Sequence, residues 1–156
     1  MIIAAVDPGQ RTGLAIFDLQ ISDEDIVILH KKILTTLEHI NNCLNLINKT
    51  ICNLVILEQR ALYGTRLGVE PFEQIKAGLL LHDYRYAASH TFTLTSSKKF
   101  ITVPPVQWKP YMRAVISTGK INLLAWGADT QHEEDAMLMA FYVVQMNYKN
   151  MEVQYD

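Results

Sequence analysis

Two short apolar runs in this chain, Met1 to Val6 and Leu54 to Leu57, each end abruptly in a carboxylate, Asp7 and Glu58. The first, rich in Ile and closed by the turn-forming pair Pro8-Gly9, is expected as a buried opening strand. The second has no turn signal inside it and is expected as a central strand buried on both faces. A carboxylate at the end of a buried strand must be hydrogen-bonded, ion-paired or bound to metal. In α/β sheets ligands bind beyond the carboxyl ends of the strands, so Asp7 and Glu58 would converge if their strands are parallel neighbours. Taken alone, Asp7 is an ordinary turn residue.

The rest of the chain builds around these two strands. Gly13 to Phe17 follows the polar Gln10-Arg11-Thr12 as a second strand, and Ile26 to Leu34 carries a third, which makes an antiparallel meander. Leu37, Ile40, Leu44, Ile47 and Ile51 recur at spacings of three and four, an amphipathic helix with Thr35 or Thr36 as its N-cap. Beyond Gly64 and Gly68, Pro71 stands at a first helical position, and Phe72, Ile75 and Leu79, with Leu80 beside them, mark one face of a helix running to about Ala87. Phe100 to Val103 is a fifth strand stopped by Pro104-Pro105, and a short helix spans Pro110 to Thr118 before Gly119. From His132 to Met146, the stripe Ala136, Met139, Ala140 and Val143 defines a last helix. The order predicts an α/β fold with a central five-stranded mixed sheet, its first three strands antiparallel, flanked by helices on both faces.

At 156 residues and 49% hydrophobic composition, the chain has material for one good core, so residues 1–156 are expected to form a single domain. No window is apolar for long enough to span a membrane, and the opening run meets Asp7 too soon for a signal peptide. The expected setting is the cytoplasm, of a bacterium or of a virus-infected cell. The two cysteines, Cys43 and Cys52, form no Cys-x-x-Cys pair and read as small core hydrophobes, which excludes a zinc ribbon or a disulfide framework.

A formal charge of −2 argues at first against a polyanionic partner. The distribution argues the other way: from Tyr84 to Ala128 there is no acid at all, while Arg85, Lys98, Lys99, Lys109, Arg113 and Lys120 all fall there. Folded, that segregation is expected to give one basic face suited to nucleic acid. The competing reading is a solvated surface that merely lacks acids.

A third acidic position lies on the last helix. His132 and Asp135 are three residues apart and share a face, whereas Glu134 points about 100° away from Asp135. Together with Asp7 and Glu58 they form a donor set suited to Mg²⁺ or Mn²⁺. Two such ions roughly 4 Å apart would activate a water and stabilise a leaving 3′ oxygen. By itself, the Glu133-Glu134-Asp135 run is an acidic first helical turn that complements the macrodipole.

Four blocks, in order, resemble the RuvC family of Holliday-junction resolvases, which have the RNase H-like fold. VDPGQRTGLAIF (Val6 to Phe17) looks like the family's Asp-Pro-Gly strand end and Thr-Gly-hydrophobic-Ala second strand. LVILEQR (Leu54 to Arg60) is similar to its apolar strand ending in Glu-Gln, VPPVQWK (Val103 to Lys109) to its proline and lysine block, and HEEDAMLMA (His132 to Ala140) to its final-helix motif. The resemblance covers nearly the whole chain and implies an RNase H-like, Mg²⁺-dependent, homodimeric endonuclease (a hydrolase of DNA recombination and repair) that nicks four-way DNA junctions symmetrically. By position it implies Asp7, Glu58 and Asp135 as metal carboxylates and His132 as the fourth member. Many relatives have Asp at that fourth place, so direct ligation and water positioning both stay open for His132. Lys109 falls at the family's basic position near the scissile phosphate, with Lys120 a second candidate; either would stabilise phosphate charge. The loop after Glu58 carries in the family an aromatic that stacks on an opened base; Tyr63 is the nearest candidate here. Arg60 and Arg66 set this loop apart from bacterial relatives and join the DNA-binding candidates. The helix at 71–87 occupies the place of the family's dimer helix. Two other readings stand beside this one: an RNase H-like nucleic-acid-binding or RNA-processing factor without junction-resolving activity, and an ATP-binding fragment of the actin and sugar-kinase type, for which 156 residues are too few.

Overall fold

The computed structural model describes residues 1–22, 25–59, 69–88, 97–119 and 121–155. Arg60, Tyr63, Arg66 and Lys120 lie outside the described residues. Twelve elements follow one another along the described residues: β1 (Ile2–Asp7), β2 (Thr12–Ile21), β3 (Ile26–Leu37), α1 (Ile40–Lys49), β4 (Leu54–Glu58), α2 (Val69–Leu81), β5 (Arg85–Tyr86), β6 (Lys99–Val103), α3 (Pro105–Ser117), α4 (Leu123–Trp126), α5 (Gln131–Asn147) and β7 (Glu152–Tyr155). They form one sheet in the order β5-β6-β4-β1-β2-β3-β7. β1, β2 and β3 pair antiparallel, and β1 pairs parallel with β4, as does β4 with β6.

The expected five strands are the middle of this sheet; its seven-stranded extent is a correction. β5 is two residues long and β7 four, both at the edges. Pieces so short show no readable alternation, and pairing with a neighbour defines them. β5 also shortens the helix expected to reach Ala87, since α2 ends at Leu81.

Side-chain alternation sends each strand's residues to two different cores. Ile3, Ala5, Ala15, Phe17, Leu54, Ile56, Ile101 and Val103 pack beneath α3 and α5. Ala4, Val6, Leu14, Ile16, Val55, Leu57 and Phe100 pack against α1 and α2. On the second face a Cβ at Gly78 would collide with the Leu44 side chain, so glycine there lets α1 and α2 approach closely. Cys43 and Cys52 are fully buried on that face, and desolvation pushes their thiols up to about 12 and about 11. They remain protonated core residues.

Two helix starts move from their sequence-based places, and the last helix is buried more fully than its pattern predicts. The first helix begins at Ile40, with His39 as an N-cap that makes no side-chain capping bond. Thr35 and Thr36 belong instead to β3, whose ladder with β2 continues to Thr12↔Leu37; the ladder satisfies their backbone groups more fully than a helix start would. The third helix starts at Pro105, not Pro110. Proline at N1 gives up only an N–H that has no intrahelical partner, so the Pro104-Pro105 pair that stops β6 also opens α3. Finally, α5 is buried from Ala136 through Val144 without interruption, not along one stripe. The sheet covers one side; Tyr111 of α3 and Tyr155 of β7 cover others, with ring centroids 5.4 Å from Tyr142 and 4.6 Å from Phe141.

Candidate active site

Asp7 and Glu58 close parallel neighbouring strands, each one residue beyond the pair Val6↔Leu57. The two carboxylates therefore stand side by side at one end of the sheet. Alternation puts both on the face of Ala5 and Ile56, beneath α3 and α5. Both are buried, at 2% and 1% exposure, which is the state in which a carboxylate must have strong partners.

The helices above supply them. Trp108, buried on α3, donates its indole Nε1 to Glu58 Oε2 at 2.8 Å. The Lys109 ammonium lies over the Trp108 ring, 5.5 Å from its centroid. On α5, His132 Nδ1 lies 3.4 Å from Asp7 Oδ2, with the His132 side chain 42% exposed. The closeness of α5 depends on Gly13, the register partner of Asp7 on β2. Any Cβ at Gly13 would collide with the backbone carbonyl of His132.

Asp135, one turn further along α5, lines a neighbouring recess of about 350 Å³ between α3 and α5 with Lys109 and Arg113. Its Oδ1 accepts a bond from Gln131 Nε2 at 2.7 Å. The structure thus brings Asp7, Glu58 and His132 to one place and sets Asp135 beside Lys109 and Arg113. Among the described residues no three His, Cys, Asp or Glu side chains form a group able to hold a metal ion in this conformation.

The acid-free stretch divides in space. Lys109 and Arg113 line the recess with Asp135, but Lys98 precedes β6 and Lys99 opens it, beside Leu54 and not Glu58. Four strand residues, roughly 13 Å, separate Lys99 from the carboxylate end. Arg85 pairs with Lys99 at that far end, and Lys98 lies over the Tyr84 ring at 5.3 Å. Among the described residues, the bases of this stretch are therefore not all gathered at the carboxylate end of the sheet.

Three residues that shape the site went unread in the sequence. Trp108 is hidden in the sequence because it precedes the Pro110 helix start that the pattern predicts. Gly13 carried no signal beyond its place in a Thr-Gly pair. Glu133 is buried at 5% exposure, and its signal was legible: Thr130-x-x-Glu133 is a capping-box spacing. Thr130 caps α5 by accepting from Glu133 N at 3.1 Å.

No protein-family model matches the chain, and no curated protein matches it. Solved structures do. RuvC from Thermus thermophilus aligns with a TM-score of 0.62 at 12% identity, over 95% of this chain and 98% of that one. The T. thermophilus RuvC complex with a Holliday junction substrate gives 0.59 at 13% identity, over 95% and 98%. The fowlpox virus resolvase in complex with substrate Holliday junction DNA gives 0.53 at 14% identity, over 96% and 98%. With β1 to β3 antiparallel, β4 and β6 parallel beside β1, and near-complete coverage in both directions, the chain has the fold of the RuvC Holliday junction resolvases.

Proposed function

We propose that this chain is a metal-dependent, structure-selective endonuclease that resolves four-way DNA junctions by paired symmetric nicks. The observation that carries the reading is the side-by-side placement of two buried carboxylates, Asp7 and Glu58, beneath the exposed imidazole of His132. Two carboxylates fit Mg²⁺ or Mn²⁺ in kind, since such ions take oxygen donors and keep waters for phosphate, and the imidazole can hold one of those waters. Asp7 and Glu58 would hold the ions, with His132 and Asp135 completing the set. Bound there, two ions would supply an activated water and charge stabilisation at the phosphorus.

The chain's own residues do the remaining work. Trp108 fixes Glu58 through Nε1, so this carboxylate presents one orientation. His132 turns Nδ1 toward Asp7, which directs Nε2 outward, where it can hold a water or take its proton. Lys109, stacked on Trp108, and Arg113, one turn on, offer positive charge beside the carboxylates for the scissile strand's phosphates. Paired nicking calls for two such sites. Leu80 and Leu81 of α2, 55% and 83% exposed, are suited to a homodimer contact through that helix. No helix among the described residues is long and apolar enough to cross a membrane.

The test is nicking of a synthetic four-way junction with Mg²⁺, set against duplex, single-stranded DNA, an RNA hybrid and ATP. Symmetric, metal-dependent cuts near the crossover support the reading. Binding without cuts at any divalent metal would turn the protein into a nucleic-acid-binding factor, and cleavage of RNA hybrid alone would reassign its substrate.

A further inference from the structure

Asp7, Gly13 and Thr36 form one transverse row across β1, β2 and β3, paired Asp7↔Gly13 and Gly13↔Thr36. The first turn of α5 rests on this row at three points. His132 reaches Asp7 at one end, and its backbone lies on Gly13 in the middle. At the other end Thr36 Oγ1 donates to Glu133 Oε2 at 2.6 Å.

The third contact belongs to a closed network. Glu133 Oε1 accepts from the Asp129 backbone N–H at 3.3 Å, and Oε2 accepts from Thr130 Oγ1 at 3.2 Å. The Thr36 and Thr130 hydroxyls are themselves 2.7 Å apart. A buried carboxylate with this many donors is strongly held. His132, its neighbour in sequence, is by contrast 42% exposed and touches Asp7 at 3.4 Å.

We propose that Thr36 and Glu133 are positioning residues that hold His132 against Asp7; the kinetic consequence rests on the nuclease reading above. Consecutive helical residues point about 100° apart, so Glu133 anchored toward β3 and His132 toward β1 together fix the roll of α5 about its axis. Gly13 is the fulcrum. Without the Thr36 anchor, a roll of roughly 10° would move an imidazole roughly 6 Å from the axis by about 1 Å. Misplacement of that size costs up to about 100-fold in rate.

The test compares Thr36→Val, Thr36→Ser and Glu133→Gln in the full chain, with two readouts. In metal-free protein, the His132 ring signals are followed by nitrogen-detected NMR. Thr36→Val and Glu133→Gln are expected to shift them, while Thr36→Ser, which keeps the hydroxyl, leaves them in place. In single-turnover nicking, Thr36→Val is expected to fall about 10- to 100-fold with junction affinity within about twofold, and Thr36→Ser to recover most of the loss. Should Thr36→Val fail to fold, Glu133→Gln carries the same comparison. Unchanged ring signals in a folded variant overturn the proposal. So does a joint loss of rate, affinity and melting temperature that serine does not rescue, which marks a merely structural contact. If wild-type protein nicks no junction, the nuclease reading falls, and the metal-free ring signals decide the positioning role by themselves.

Discussion

Substituting Gly13 by Ala is the most direct perturbation of the site's geometry. The added Cβ would overlap the His132 carbonyl and sit 3.0 Å from His132 Cβ, and ordinary contact begins near 3.4 Å. The obstructing atoms are backbone, held by the helix, so no rotamer change relieves them. α5 has to retreat by on the order of 1 Å, and it takes His132 away from Asp7. Overpacking of this kind costs about 1–3 kcal/mol. For a chain of this size each kcal/mol lowers Tm by about 2–4 °C, so the expected loss is about 2–12 °C. On the proposed function, the rate of junction nicking should fall by up to about 100-fold, because the displacement lies at the proposed reacting centre, while junction affinity, which that proposal assigns to basic residues, should change little. Thermal unfolding and single-turnover cleavage at saturating protein measure the two effects. A Gly13→Ala protein that melts and cleaves like wild type would refute the close approach of α5 to β2, and with it the placement of His132.

Three further outcomes are expected. Asp7→Asn should abolish cleavage with junction binding retained in a gel-shift titration, since it removes an anionic donor and no basic residue; parallel loss of binding and folding would contradict this. Trp108→Phe keeps the apolar bulk but removes a donor from buried Glu58, so urea unfolding should show a loss of about 1–3 kcal/mol together with slower nicking; an unchanged midpoint would mean the indole bond contributes nothing. Lys109→Ala should lower the single-turnover rate more than affinity, and an unchanged rate with a purely salt-dependent loss of binding would return Lys109 to the general basic surface.

The central strands were legible because each burial pattern is local. Met1 to Val6 and Leu54 to Leu57 are apolar without alternation, as strands covered on both faces must be, and the structure covers them with α1 and α2 on one side and α3 and α5 on the other. The edge strands β5 and β7 were not legible, because two to four residues become a strand only through the neighbour they pair with. Thr36 shows the same limit at a single residue. Its chemistry, a hydroxyl before an amphipathic segment, is that of an N-cap, and only the ladder to β2 decides that it faces α5 and bonds Glu133 instead.

What the amino-acid order alone determined is the inventory: acids at the ends of two buried runs, an acidic helix start with His132, and one acid-free stretch that carries six basic residues. Only the tertiary structure decided which of them meet. Parallel pairing of β1 with β4 sets Asp7 beside Glu58, and glycine at position 13 admits α5 close enough for His132. The helical path of α3 brings Trp108 to Glu58 and sets Lys109 in the recess with Asp135, while the length of β6 carries Lys98 and Lys99 away. Proximity between residues far apart in a chain depends on register and packing, and neither is a property of any segment taken by itself.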